Sequence, residues 1–203
     1  MRPALLAIAI ALTARGEADT GLPLSGLAQD ALTTIDSDPT QSQLDSVFGA
    51  SASSTLTEVA DDASVDVGIR LRAIHALVHY CDPISTSNPA CNPASPAHTT
   101  LVGLIASTGA ASAGADLLVL RAAVETLGPL RVPADTATLI PLLDHASRDI
   151  RASTAHALRD LCDGDTTVMD ALRQRYQTER VDQVRFAISE ALRILGQPPC
   201  TAN

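Results

Sequence analysis

The chain has 203 residues, 46% hydrophobic but only 2% aromatic with no Trp, and a formal net charge of −9. Ala, Leu and Val must therefore build any core, which suits closely packed helices better than a β-sandwich, whose strands favour aromatic and β-branched side chains. Every basic residue apart from His is Arg and none forms a basic stripe, so nucleic acid and anionic membrane are poor candidates as partners.

The first segment reads "MRPALLAIAIALTARGEADT". Arg2 supplies a positive start, Ala4 to Leu12 form an apolar run, and Gly16 with Ala18 place a cleavage site after Ala18. Residues 1–18 thus read as a secretory signal peptide, and the expected location is periplasmic or secreted. Without its flanks the same run would read as a short buried helix. A bilayer-spanning helix needs about 20 apolar residues, so no transmembrane anchor is expected here. From Asp19 to Asp66 the chain carries nine acids and no base, and residues 19–54 read as an acidic N-terminal helical cap or linker. Within it "LSGLAQDALTTI" is an amphipathic helix, and the Asp- and Ser-rich stretch 36–55 reads as a degenerate terminal repeat with a polar outer face.

The region 55–196 reads as pairs of helices. "STLTEVADDA" comes first; its spacing from Ser54 to Glu58 is one residue longer than a capping box, so its start is loosely defined. "DVGIRLRAIHALVHY" follows, and then Cys81 and Cys91 bracket "CDPISTSNPAC", too rich in Pro and Ser for a helix. Closing such a loop with a disulfide stabilises by about 2–3 kcal/mol. The helix "HTTLVGLIAST" runs into "GLIASTGAASAGAD", which lacks the GK[ST] ending of a phosphate loop and reads as a turn. After "DLLVLRAAVETLGPL" come "ADTATLIPLLDHA", kinked at Pro141, "RDIRASTAHALRDL", "DTTVMDALRQRYQ" and "DQVRFAISEALRIL". Residues 197–203 form a tail in which Pro198-Pro199 turn Cys200 back toward Cys162. Four cysteines without CxxC or zinc-ligand spacing point to disulfides and an oxidising compartment.

Four of these segments align in phase on Leu77, Leu127, Leu158 and Leu192. Their intervals are 50, 31 and 34 residues, the long one containing the Cys81–Cys91 loop. In the first, Ile69, Ala73 and Leu77 form one helical stripe, and small residues at Ala76, Ala157 and Ala191 allow close helix approach. Arg recurs seven residues before the Leu, as Arg70, Arg151 and Arg185, with Asp66, Asp149 and Asp182 shortly upstream. These Asp suit helix starts, and could also face the Arg of a neighbouring repeat in a ladder of charge pairs.

The pattern resembles the HEAT repeat, including a short bacterial HEAT-like variant whose second helix reads roughly D-x-V-R-x-x-A-x-x-A-L. It covers about residues 55–196 and departs at Leu120, which takes the Arg position, at Thr126, which replaces the Ala, and at the Cys81–Cys91 insertion. The resemblance implies an all-α fold, an α-α superhelix of about four helical hairpins. It implies little about function.

In such arrays the second helices usually offer the binding surface. His75, Glu125, His156 and Glu190 occupy equivalent positions away from the core stripe. A row of His and Glu is titratable near neutral pH and suits a cationic partner segment, whereas an ordinary solvated face carries the same residues. His75 and His79 have the i,i+4 spacing of a helical zinc site but lack the Glu of HExxH. No GxSxG elbow is present, and Asp144, His145 and Ser147 are neighbours in sequence without the relations of a triad. HEAT-like DNA glycosylases use a basic surface with aromatic residues, which this acidic chain lacks, and nothing marks the bilin site of HEAT-like lyases. The expectation is a non-catalytic, cofactor-free exported scaffold that binds a protein or peptide. The alternative is a small secreted metal-binding or enzymatic module using the His/Glu ridge.

Overall fold

The computed structural model describes residues 26–33, 39–84, 90–162, 166–197 and Cys200. The expected signal peptide, residues 1–18, lies outside them. Two short helices come first, α1 (Gly26–Thr33) and α2 (Gln41–Phe48). Four hairpins follow: α3 (Ala52–Asp61) with α4 (Val67–Ala76), α5 (Pro96–Thr108) with α6 (Gly114–Leu127), α7 (Thr136–Leu139) with α8 (Arg148–Leu161), and α9 (Thr166–Thr178) with α10 (Asp182–Leu195). Among the described residues no strand occurs, only an isolated bridge between Pro83 and Cys91. The second helices α4, α6, α8 and α10 pack side by side in that order, each also against elements of its own hairpin. The fold is the expected α-α solenoid.

Local chemistry explains where the helices begin and bend. Asp66 caps α4, its Oδ1 accepting from the Gly68 and Ile69 N–H groups at 2.8 and 3.4 Å. Ser95 caps α5 in the same way through the His98 N–H, with Pro96 at the first helical position, where its missing donor costs nothing. Pro141 has the expected effect: α7 gives way to a 3-10 segment, Ile140–Asp144. Gly109 to Ala113 form the expected turn between α5 and α6. The Ser54 to Glu58 spacing marks no boundary, because α3 starts earlier, at Ala52, and the division drawn after residue 54 falls inside this helix. The true capping box is Thr40 with Gln43, at the start of α2.

The stripe read from the repeats faces the core. Ile69, Ala73 and Leu77 are buried, as are Leu127 and Leu158, and a fully buried Leu contributes about 1.5–3 kcal/mol over an exposed one. Leu192, on α10, the last of the described helices, is half-buried instead. Close approach depends on small residues, as expected. A Cβ on Gly128 would lie 2.6 Å from the Ala157 Cα and carbonyl oxygen, so the end of α6 meets the α8 backbone only because neither position carries bulk.

The recurring Arg has one job in three hairpins. Arg70 donates through Nε and Nη2 to the Ala60 carbonyl at 3.2 and 3.1 Å. Arg151 Nη1 donates to the His145 and Ala146 carbonyls, both at 2.9 Å, and Arg185 Nη1 to the Glu179 carbonyl at 3.2 Å. The Ala60 carbonyl lies in the last turn of α3, where internal donors are lacking, and the others lie in the connections that lead into α8 and α10. The repeat Arg therefore locks its own hairpin. The Arg–Asp ladder is not what forms: Asp149 and Asp182 sit in first helical turns, and the acid that meets Arg151 is Glu179. In the second hairpin the Arg position holds Leu120, which is fully buried.

The cysteines lie in two pairs at disulfide distance, with Cα separations of 5.4 Å for Cys81–Cys91 and 4.8 Å for Cys162–Cys200. The second joins the end of α8 to the tail beyond α10.

Candidate functional site

The stacked second helices bring the four ridge residues to one face, each half-buried, and each already has a protein partner. His75 Nδ1 lies 3.3 Å from Thr126 Oγ1 on α6. Glu125 Oε1 accepts from Arg121 Nε and from Ser153 Oγ on α8, both at 2.7 Å. His156 Nδ1 stands 4.0 Å from Glu190 Oε2 on α10, and Arg159 Nη1 approaches His156 Nδ1 at 3.2 Å and Glu190 Oε1 at 3.5 Å. The ridge is a set of ties between neighbouring helices.

Such ties cross all three seams, His75 meeting Thr126 between α4 and α6. The α6–α8 seam is crossed by Glu125 and Ser153, and the α8–α10 seam by His156, Arg159 and Glu190. Between α4 and α6 the surface opens into a groove of about 170 Å³, lined by Leu71, His75, Leu118, Arg121, Ala122 and Glu125. Leu118 on its rim is 45% exposed. Its lining mixes the apolar Leu71, Leu118 and Ala122 with the polar His75, Arg121 and Glu125, a composition that accepts one aliphatic or aromatic side chain. A second recess, about 260 Å³, lies among the first helices between the Ile140–Asp144 segment and α9. There Arg175 Nη1 donates to Asp144 Oδ1 at 2.8 Å.

Two buried polar pairs escaped sequence reading. His98 Nε2 sits 2.9 and 3.0 Å from the Asp135 oxygens, and its Nδ1 is 3.0 Å from the Pro93 carbonyl. A carbonyl only accepts, so Nδ1 carries a proton, and a second proton is held between Nε2 and the carboxylate. Burial pushes the Asp135 carboxyl up against the lowering pull of His98. Ser95, His98 and Asp135 look like a hydrolase triad, yet Ser95 Oγ accepts from the His98 main chain and the ring has no nitrogen left for it. Nothing in the spacing of His98 and Asp135, 37 residues apart, announces the pair.

The other pair centres on Glu179, which is 3% exposed. Its carboxylate accepts from Arg151 Nε and Nη2 at 2.7 and 3.1 Å, from Arg175 Nη2 at 2.7 Å and from the Arg180 and Val181 N–H groups, both at 2.9 Å. Burial alone would raise this carboxyl, but the hydrogen bonds outweigh it and bring it down to about 2. Arg151 was legible as a repeat residue; Glu179 lies in a loop outside the repeated pattern.

Among the described residues, Asp144, His145 and Ser147 do not line up as a triad, nor His75 and His79 as a metal pair. His145 Nδ1 accepts the Ser147 main-chain N–H at 3.0 Å, and Asp144 is turned to Arg175. His79 falls in the 3-10 turn Leu77–Tyr80, whose tighter winding offsets it from His75 around the axis. Among the described residues no group of three or more His, Cys, Asp or Glu is arranged to hold a metal ion. No described helix is long and apolar enough to cross a membrane.

Residues 109–193 match the family of HEAT repeats. No curated protein and no solved structure matches the chain. HEAT repeats are generally protein-interaction scaffolds and typically non-catalytic. The match runs from the turn before α6 to the body of α10 and stops short of the insertion-bearing region. With the stacked hairpins and the recurring Arg, it supports a HEAT-like repeat architecture.

Proposed function

We propose that the protein is an exported, non-catalytic scaffold that docks a protein or peptide on its layer of second helices, with an apolar partner side chain entering the α4–α6 groove. The observation that carries this reading is the groove itself: although His75 and Thr126 meet across the α4–α6 seam, a recess of about 170 Å³ remains there beside an exposed Leu118. His75, Arg121 and Glu125 in its lining supply polar contacts around such an anchor, the arrangement in which one buried side chain dominates affinity. Export is supported by the leader-like first residues and by the two cysteine pairs.

Display of random peptides against the purified protein tests the docking. Enriched peptides are expected to share an aliphatic or aromatic anchor and to lose about tenfold or more in affinity on Leu118→Asp. No enrichment, or equal binding to that variant, would count against the groove. N-terminal sequencing of protein from the extracytoplasmic fraction checks export, with a new terminus at Asp19 as the expected result.

A further inference from the structure

The insertion that stretches the first repeat interval does more than fill a loop. α4 runs on through the 3-10 turn Leu77–Tyr80 to Cys81, and α6 runs on through Gly128–Leu130. Both ends converge on Cys91. It is paired with Cys81 at the end of the α4 wall, and its N–H donates to the Leu130 carbonyl at the end of the α6 wall, at 2.8 Å. The ribbon is stiffened by two further 2.8 Å bonds, Asn92 N–H to the Asp82 carbonyl and Ile84 N–H to the Ala90 carbonyl. A few residues on, His98 binds both the Pro93 carbonyl and the Asp135 carboxylate, tying the segment to the head of the third hairpin. Ser95 Oγ sits 2.9 Å from Cys81 Sγ, under the same junction. The Cys162–Cys200 pair links the end of α8 to the tail.

We propose that the Cys81–Cys91 disulfide is the catch of a redox-controlled clasp on the α4–α6 groove. This rests on the docking role of that groove. Closed, the bond ties the end of the α4 wall to Cys91, whose N–H in turn holds the end of the α6 wall at the Leu130 carbonyl. A dithiol reductant opens it: one thiolate attacks a sulfur and forms a mixed disulfide, and the second thiol displaces it. The Cys81–Cys91 bond takes up two electrons and two protons to give two thiols, and the reductant leaves as its own disulfide. The end of α4 then loses its covalent link to Cys91 and keeps only the hydrogen bonds of the ribbon, while Ile69, Ala73, Ile74 and Leu77 keep the helix seated in the core. The groove slackens and the array stays folded.

Amide hydrogen exchange on the full chain, read by mass spectrometry, tests this without any partner. Three states are compared with the native protein: Cys81→Ser with Cys91→Ser, Cys162→Ser with Cys200→Ser, and native protein titrated with dithiothreitol under alkylation mapping. Opening the first pair is expected to speed exchange in residues 71–80 and 117–130 by about tenfold or more and to leave α8 and α10 unchanged. Opening the second is expected to act only near the end of α8 and on the tail. Unchanged groove walls, or faster exchange spread evenly over the array, would overturn the clasp. If the first double variant does not fold, the dithiothreitol titration decides: alkylated Cys81 and Cys91 with local exchange supports the clasp, and with global exchange defeats it. Failure of peptide docking would leave this result standing, since exchange is read on the free chain.

Discussion

The α8–α10 seam and the α4–α6 seam are built from the same repeat and end up with opposite surfaces. Toward the C-terminus the stack is closed: Arg159, His156 and Glu190 cross the ridge face. Deeper in the same pair of hairpins, Arg151 and Arg175 converge on Glu179. Toward the N-terminus His75 meets Thr126, yet a groove lined by Leu71 and Leu118 remains beside them, and its walls are tied at the end through Cys91. The repeat supplies the helices and their spacing, and the few residues outside it decide whether a seam seals or stays open. Function in such an array is a property of the departures from the pattern.

The comparison can be broken most severely at Glu179. Glu179→Ala leaves Arg151 buried without its acid, and breaking a buried pair costs about 3–5 kcal/mol; an unfolding free energy from urea titration lowered by less than a third of that would show the hub to be dispensable. Leu158→Ala empties a fully buried site in α8 and should cost about 2–4 kcal/mol, so a midpoint barely moved would refute the register of the repeat. The acid limb is set by the same carboxylate. Its folded value, about 2, lies below the ordinary carboxylate range, so its stabilisation is complete above that range and is lost as pH falls through it toward 2. Thermal unfolding followed from pH 5 to pH 2 should show this loss, and Glu179→Gln should flatten that part of the profile. The smallest effect belongs to the open seam: Arg121→Ala removes an exposed i,i+4 pair with Glu125 and should change stability by less than about 1 kcal/mol, as measured by the same denaturation.

The sequence made the repeat legible because its signals are local and periodic: the stripe through Ile69, Ala73 and Leu77, the small residues, and the Arg that returns in phase. The kink at Pro141 was equally local. What stayed hidden depends on chain segments meeting across repeats. Glu179 sits in a turn with no periodic neighbour, and His98 finds Asp135 only once two hairpins are stacked. The Arg–Asp ladder was misjudged because one helical stripe cannot reveal that each Arg bends back to cap its own hairpin. The ridge residues were found, but their mutual pairing was not, since their partners Thr126, Ser153 and Arg159 lie on helices whose rotation the sequence does not display.

The open seam has a rival on the surface, since Phe186 on α10 is 70% exposed. Titrating a display-selected peptide into isotope-labelled protein and following backbone amide shifts separates the two sites. Docking in the seam predicts shifts gathered on residues 71–79 and 118–125; shifts gathered around Phe186, or on α9 and the Ile140–Asp144 segment, would contradict it.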